Sequence, residues 1–119
     1  MNRTAAPRQG TGGVTEARVA AAEIFAALRQ GSLLDPVFER RSARLEPRDR
    51  RWLRELVYGT LRRRGWIDAV LDARAKGGLS RLDAGMLDLL RLGTYQLLFM
   101  DSVPAYAAIA QTVELAKRG

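Results

Sequence analysis

The sequence predicts an all-α fold, a bundle of about six helices with short connections. From Thr15 onwards, apolar residues recur at helical spacing almost throughout the chain. Runs that favour strands, such as Leu56-Val57-Tyr58, lie inside these helical periods and never alternate for long. The chain has 119 residues, 47% of them apolar, which is enough for one small domain with a hydrophobic core.

The first two predicted helices have recognisable start and stop signals. The first begins after Thr15 and repeats apolar residues three and four positions apart until Gly31 offers a C-terminal stop. Asp35 as an N-cap and Pro36 in the first turn open the second helix, which runs to about Ala43.

The third and fourth predicted helices are separated by Gly65. The third begins at Pro47 and runs to about Arg64. The fourth is short and is marked by apolar residues beginning at Trp66. It ends at the Lys76-Gly77-Gly78 run. Trp66, like Trp52 in the third helix, falls on an apolar face, so we expect both indoles in the core.

The last two predicted helices are separated by a break that contains Pro104. The fifth is capped by Ser80 and continues towards Met100, with Gly93 inside it allowing close packing or a bend. The sixth presents one apolar face from Ala105 to Ala116.

Residues 1–14 read as a disordered basic leader that precedes a helical domain over residues 15–119. They contain three glycines and one proline, and they carry Arg3 and Arg8. The leader lacks the apolar stretch of a secretory signal, and no later stretch is long and apolar enough to span a membrane. We therefore predict a cytoplasmic protein with no membrane partner.

The composition argues against catalysis within this chain. It contains neither cysteine nor histidine, which excludes disulfides, Cys/His zinc sites, thiolate nucleophiles and the commonest general base. Asp68 and Asp72 lie four residues apart and could share a helix face, but that spacing is equally expected on any solvated helix. We predict no catalytic residue, no metal site and no cofactor site here.

The positive charge is concentrated in one part of the chain. Between Arg40 and Arg64 there are ten arginines and three acidic residues, a net charge of +7. The rest of the chain holds ten basic and ten acidic residues. Such a cluster favours a polyanionic partner. The preference for arginine over lysine suits phosphate recognition, and codon usage in a GC-rich genome explains it equally well.

The third predicted helix carries an arginine stripe opposite its apolar side. Arg51, Arg54, Tyr58 and Arg62 follow one another three or four residues apart, which places them on one face. Such a stripe can contact phosphates and offer Tyr58 to an unpaired base. The alternative is an ordinary solvated face on which Arg51 pairs weakly with Glu55.

Three segments resemble NusB-like domains, in the order and spacing of that family over roughly residues 16 to 118. They are DRRWLRELVYGTLR at 49–62, LLRLGTYQLLFM at 89–100, and the pieces VPAYAA and TVELAK at 103–108 and 112–117. The resemblance is closest to the N-terminal domain of the RsmB/Sun family of ribosomal RNA cytosine-C5 methyltransferases. It implies two packed helical subdomains and a role in binding RNA or docking a protein.

The resemblance also implies what the chain lacks. In those methyltransferases a Rossmann-like catalytic domain follows, which uses S-adenosylmethionine and cysteines, so that cofactor is expected only if such a domain follows here. Tyr106 stands where the family usually has histidine. The family domain normally continues into a further helix, F-V-N-x-V-L-R, which this chain does not contain. We predict that the apolar face this helix would cover is exposed or closed by self-association.

We therefore predict an RNA-binding domain that positions a cytosine-C5 methyltransferase on small-subunit ribosomal RNA and is not catalytic by itself. The alternatives are a NusB-type antitermination factor, which binds nascent RNA and a ribosomal protein, and a helical protein-interaction domain. The resemblance to antitermination factors, which bind RNA with a basic N-terminal segment and the first helix, implies Arg8 and Arg18 as further contacts. The residues predicted to contact RNA are Arg8, Arg18, Arg48, Arg51, Arg54, Tyr58, Arg62, Arg63 and Arg64.

Overall fold

The computed structural model describes residues 15–118, which form six α-helices with short connections. The prediction of an all-α bundle is confirmed, while the predicted leader at 1–14, with Arg8, lies outside the described residues. None of these helices is long and apolar enough to cross a membrane. In chain order they are α1 (Glu16–Arg29), α2 (Leu34–Ser42), α3 (Pro47–Arg62), α4 (Arg64–Arg74), α5 (Ala84–Phe99) and α6 (Ala105–Arg118), with a 3-10 turn at Leu79–Arg81 before α5.

The helices pack as two halves around a continuous core. In one half α1 packs against α2 and α3, and in the other α5 packs against α4 and α6; the halves join where α1 and α3 meet α5. Burying one large apolar side chain contributes about 1.5–3 kcal/mol, so this cluster is the main source of stability. All six helices contribute to it, and its fully buried side chains include Ile24, Phe38, Leu53, Leu56 and Ile67.

Two N-caps differ from the sequence-based prediction. Asp35 does not cap α2, which begins at Leu34 with Leu33 as its N-cap residue, two residues before the predicted cap, because the Asp35 carboxylate accepts a hydrogen bond from Tyr58 instead. Ser80 lies in the 3-10 turn, and α5 is capped by Asp83, whose carboxylate accepts from the amide three residues later at 2.8 Å. The first difference arises because a short polar side chain can bind a distant partner instead of capping a helix.

The two tryptophans occupy different environments. Trp52 is buried in the core, as predicted, whereas Trp66 is 52% exposed, so its predicted core position is wrong. Because α4 begins at Arg64, immediately after α3, Ile67 takes the inward-facing position and is fully buried. Trp66 precedes it by one residue, about 100° around the helix, and therefore points outwards.

An exposed apolar face runs along α6. Tyr106, Ile109 and Val113 are spaced three and four residues apart on this helix and are all exposed. Leu97 and Leu98, near the end of α5, are exposed as well. These residues form an exposed apolar surface in the described part of the chain. That it is the face which the further family helix would cover, and that it closes by self-association, stay predictions.

Close packing of α3 on α5 depends on Gly59. A Cβ atom at this position would lie 2.1 Å from the hydroxyl oxygen of Tyr95 on α5. That hydroxyl donates to Glu55 on α3, and burial together with the Glu55 carboxylate raises the pKa of Tyr95 to about 12. The tyrosine therefore has a fixed partner and little freedom to move aside.

We expect Gly59→Ala to lower the free energy of unfolding by about 1–3 kcal/mol, although alanine is the better helix former, because Tyr95 must be displaced. Urea denaturation followed by circular dichroism measures the change. Gly65→Ala is the matched control, since no atom lies within 4 Å of its Cβ position. A Gly59→Ala protein as stable as the Gly65→Ala protein would contradict this account of the α3–α5 contact.

Candidate nucleic-acid interface

The arginine stripe of α3 forms one side of a shallow surface groove. Arg51, Arg54, Tyr58 and Arg62 line this groove together with Glu55, and its volume is about 380 Å³. Their spacing in the helix brings them side by side, as the sequence pattern predicts. We call this surface the α3 groove. It carries three guanidinium groups and one carboxylate.

Arg54 is the most fixed arginine of the α3 groove. Its guanidinium lies over the rings of Phe38 and Tyr58, at 4.6 and 5.0 Å from their centroids. It also approaches the Glu39 carboxylate of α2 at 3.7 Å. Cation–π contacts of this kind hold the planar group in one orientation while leaving its edge in solvent. Arg54 is therefore prepositioned for an anion.

Tyr58 joins α3 to α2. Its ring meets the edge of Phe38 at a centroid distance of 5.5 Å, and its hydroxyl donates to Asp35 at 2.5 Å. Burial, with the Asp35 carboxylate as a second cause, raises the pKa of Tyr58. Because Arg54 covers one face of the ring, a base could stack there only by displacing that arginine. Tyr58 therefore has a structural role between α3 and α2, and its predicted stacking on a base stays a prediction.

The other arginines near the groove differ in their partners. Arg51 and Arg62 are exposed and make no ion pair with any residue between 15 and 118. Arg48 approaches the buried Asp49 at 3.7 Å, and the guanidinium of Arg63 lies over the Phe99 ring at 4.6 Å. Arg51 and Arg62 are therefore the side chains of the groove that can turn wholly towards a phosphate.

Part of the basic cluster between Arg40 and Arg64 serves the fold. Arg50 donates to the carbonyl oxygen of Leu45 at 2.6 Å, which fixes the turn before α3. Arg41 pairs with Glu23 of α1 at 3.3 Å. Some arginines of this cluster therefore stabilise the fold, and others lie on the exposed face of α3.

Arg18 lies inside the protein, which corrects its prediction as an RNA contact. The residue is 2% exposed, and its guanidinium lies over the Trp52 ring at 4.9 Å while Nε donates to Gln96 at 2.7 Å. Burial lowers the pKa of Arg18 to about 10. The sequence contained a signal for this placement, since Arg18 is three and seven residues before Ala21 and Phe25 of the apolar face.

An ion-pair network that the sequence analysis did not foresee joins three helices. Arg91 on α5 donates to both carboxylate oxygens of Asp68 on α4, at 2.7 and 2.8 Å, and to Asp88 at 3.2 Å. Asp88 accepts a further bond from Arg29 of α1 at 2.7 Å. Asp68, with Asp88 adding to its effect, raises the pKa of Arg91. We call these four residues the Arg91 network.

The acidic residues considered for acid–base chemistry have structural roles. Asp68 belongs to the Arg91 network, and Asp72 accepts a hydrogen bond from the amide of Leu79 at 2.9 Å. Within the part of the chain that the structure describes, no group of acidic side chains is arranged to hold a metal ion.

Comparison with known proteins gives matches of two kinds. The family model described as "NusB family" matches residues 15–119. A Mycobacterium tuberculosis protein named as a methyltransferase is 52% identical over 69 residues, which are 58% of this chain and 15% of that protein. Ribosomal RNA small subunit methyltransferase B of Synechocystis is 38% identical over 73 residues, 61% of this chain and 16% of its own length.

The second kind of match covers most of the relative. Transcription antitermination protein NusB of Thermobifida fusca is 36% identical over 104 residues, which are 86% of this chain and 73% of that protein. No solved structure matches the chain. The chain thus spans about one sixth of the methyltransferase relatives and most of the antitermination relative.

Proposed function

Because the chain belongs to the NusB family, we propose that it is an RNA-binding domain whose contact surface is the α3 groove. The observation that carries the proposal is the arrangement of its arginines. Arg54 is held in place by two rings, while Arg51 and Arg62 on either side are exposed and make no ion pair within residues 15–118. A row of guanidinium groups of which two have no carboxylate partner in the described residues is suited to successive phosphates.

The chemistry of this surface favours contacts to the RNA backbone. A guanidinium group donates two parallel hydrogen bonds to a phosphate, which gives both charge neutralisation and orientation. Arginine contacts of this type supply affinity, and preference for sequence comes from unpaired bases that stack on exposed rings. The α3 groove accounts for the first of these two contributions.

The methyltransferase relatives support a finer proposal. The domain positions an S-adenosylmethionine-dependent cytosine-C5 methyltransferase on small-subunit ribosomal RNA and acts in the cytoplasm. The catalytic step and its cofactor would belong to a separate catalytic domain, because the matched region is about 15% of those relatives. Residues 15–118 would bind the RNA and provide a surface on which that catalytic domain docks.

A second candidate function is transcription antitermination, in which the domain binds nascent RNA together with a ribosomal protein. The observation that favours it is the coverage of the Thermobifida fusca relative, 73% of which aligns with this chain. Comparing affinities for small-subunit ribosomal RNA and for a transcript leader distinguishes the two functions.

The salt dependence of RNA binding tests the proposal. If about five phosphates are neutralised, the logarithm of the binding constant should fall against the logarithm of salt concentration with a slope of about −3.5. Fluorescence anisotropy with labelled single-stranded fragments of small-subunit ribosomal RNA measures it. Arg51→Ala should reduce the steepness by about 0.7, since one phosphate contact is lost. A slope near zero, or no binding to any fragment, would refute an RNA-binding function.

A further inference from the structure

Trp66 lies in an exposed cluster of aromatic and guanidinium groups next to the end of α3. Its indole meets Phe99 of α5 edge to face, at a centroid distance of 5.6 Å and an interplanar angle of 73°. The guanidinium of Arg63 lies over the same phenylalanine ring at 4.6 Å. We call these three residues the Trp66 platform. It presents a half-exposed indole in a basic environment.

The Phe99 ring of the platform packs on a second aromatic ring in the protein interior. Phe99 stacks on Tyr95 with an interplanar angle of 28° and a centroid distance of 5.1 Å. Tyr95 is buried and donates its hydroxyl to Glu55, which is also a lining residue of the α3 groove. Ile67, the residue after Trp66, is fully buried. These contacts hold the indole against Phe99 of α5, which in turn packs on Tyr95.

The platform adjoins the arginines of the α3 groove. Arg62 directly precedes Arg63, whose guanidinium belongs to the platform. Arg62 also lines the α3 groove, and Glu55 connects that groove to Tyr95. A strand whose phosphates follow the groove would therefore reach the indole within a short distance.

We propose that the Trp66 platform binds an unpaired nucleobase of a single-stranded RNA, which stacks on the exposed indole. This inference rests on the proposed function and adds the residue that holds a base. The three consecutive cations Arg62, Arg63 and Arg64 favour RNA over an apolar protein surface, because RNA supplies a flat ring and an anion together. Trp66 thus offers a base an exposed ring, whereas Arg54 covers one face of Tyr58.

Two variants of Trp66 test the proposal on the full chain. Trp66→Ala should lower the affinity for single-stranded ribosomal RNA about tenfold, because one stacked base is lost. It should leave the affinity for inorganic polyphosphate, which has charge without bases, unchanged. Trp66→Phe should keep most of the RNA affinity. RNA should quench the tryptophan emission of the natural chain. This quenching should disappear in Trp66→Phe, because the one tryptophan left, Trp52, is buried and out of reach of a base.

Controls separate the platform from other effects of an exposed apolar residue. Ile109→Ala removes a side chain that is 54% exposed on α6, and RNA affinity should not change. Circular dichroism establishes that each variant is folded. If Trp66→Ala binds RNA as tightly as the natural chain and RNA leaves the emission unchanged, the platform is not a base site, although the proposed function stands.

Other outcomes also overturn the inference. Equal losses of affinity for RNA and for polyphosphate would mean that Trp66 only positions the arginines. A shift in sedimentation of the unliganded protein on Trp66→Ala, with RNA affinity unchanged, would assign the indole to contact with a second copy of the chain. Failure of the natural chain to bind any RNA fragment would instead refute the proposed function, and this inference with it.

Discussion

Arg91→Met should lower the free energy of unfolding by about 3–5 kcal/mol, the cost typical of removing one partner from a buried ion pair. Arg91 is 7% exposed, and methionine preserves much of its apolar stem while removing the hydrogen bonds that Arg91 donates to Asp68 and Asp88. Asp68 would then lack its cation, and α4 would lose its polar connection to α5. Urea denaturation monitored by circular dichroism measures the loss.

A matched arginine on the surface provides the control. Arg74→Met removes an exposed guanidinium from the last turn of α4 and should change the free energy of unfolding by less than about 0.5 kcal/mol. Adding Asp68→Leu to Arg91→Met should recover part of the loss, since the unpaired carboxylate is then gone. An Arg91→Met protein as stable as the Arg74→Met protein would show that the Arg91 network contributes little.

The double substitution Arg51→Ala with Arg54→Ala should weaken binding to single-stranded ribosomal RNA about tenfold to a hundredfold, because two charge-assisted contacts are lost. The slope of the salt dependence should become about 1.4 less steep. Fluorescence anisotropy over a range of salt concentrations measures both quantities. Because Arg54 also lies over Phe38 and Tyr58, its variant must first be shown to be folded.

Arg41→Ala with Arg44→Ala is the charge-matched control for that experiment. Both residues come from the same basic cluster, yet they line a different surface, beside Glu23 of α1. The control removes the same total charge, so only position distinguishes the two proteins. Equal weakening by the two double variants would mean that RNA responds to net charge rather than to the α3 groove.

Local patterns in the sequence were sufficient to predict the helices. Apolar spacing determines which face of each helix is buried, so all six helices could be predicted without knowledge of their partners. The helix ends were harder to predict, because a short polar residue can either cap a helix or bind a partner elsewhere. Asp35 shows the difficulty: its carboxylate accepts from Tyr58, twenty-three residues later, instead of capping α2.

The candidate site also contains a part that the sequence predicts and a part that it does not. The α3 groove depends on spacing within one helix, and the sequence predicted its members together. Contacts between distant residues could not be predicted in this way: Arg91 pairs with Asp68 across two helices, and Arg18 reaches Gln96 at the far end of α5. The exposure of Trp66 depends on where α4 begins, which a helix wheel does not specify.

The position of Trp66 on α4 has a dynamic consequence. Within this helix only Ile67 is buried, so local opening of α4 should require less free energy than unfolding of the whole domain. The bond from Arg91 to Asp68 opposes that opening at the residue next to Ile67. A base bound on the indole would favour the closed state further and slow hydrogen exchange in α4. Occupancy of the platform would thus be coupled to the order of the helix that carries it.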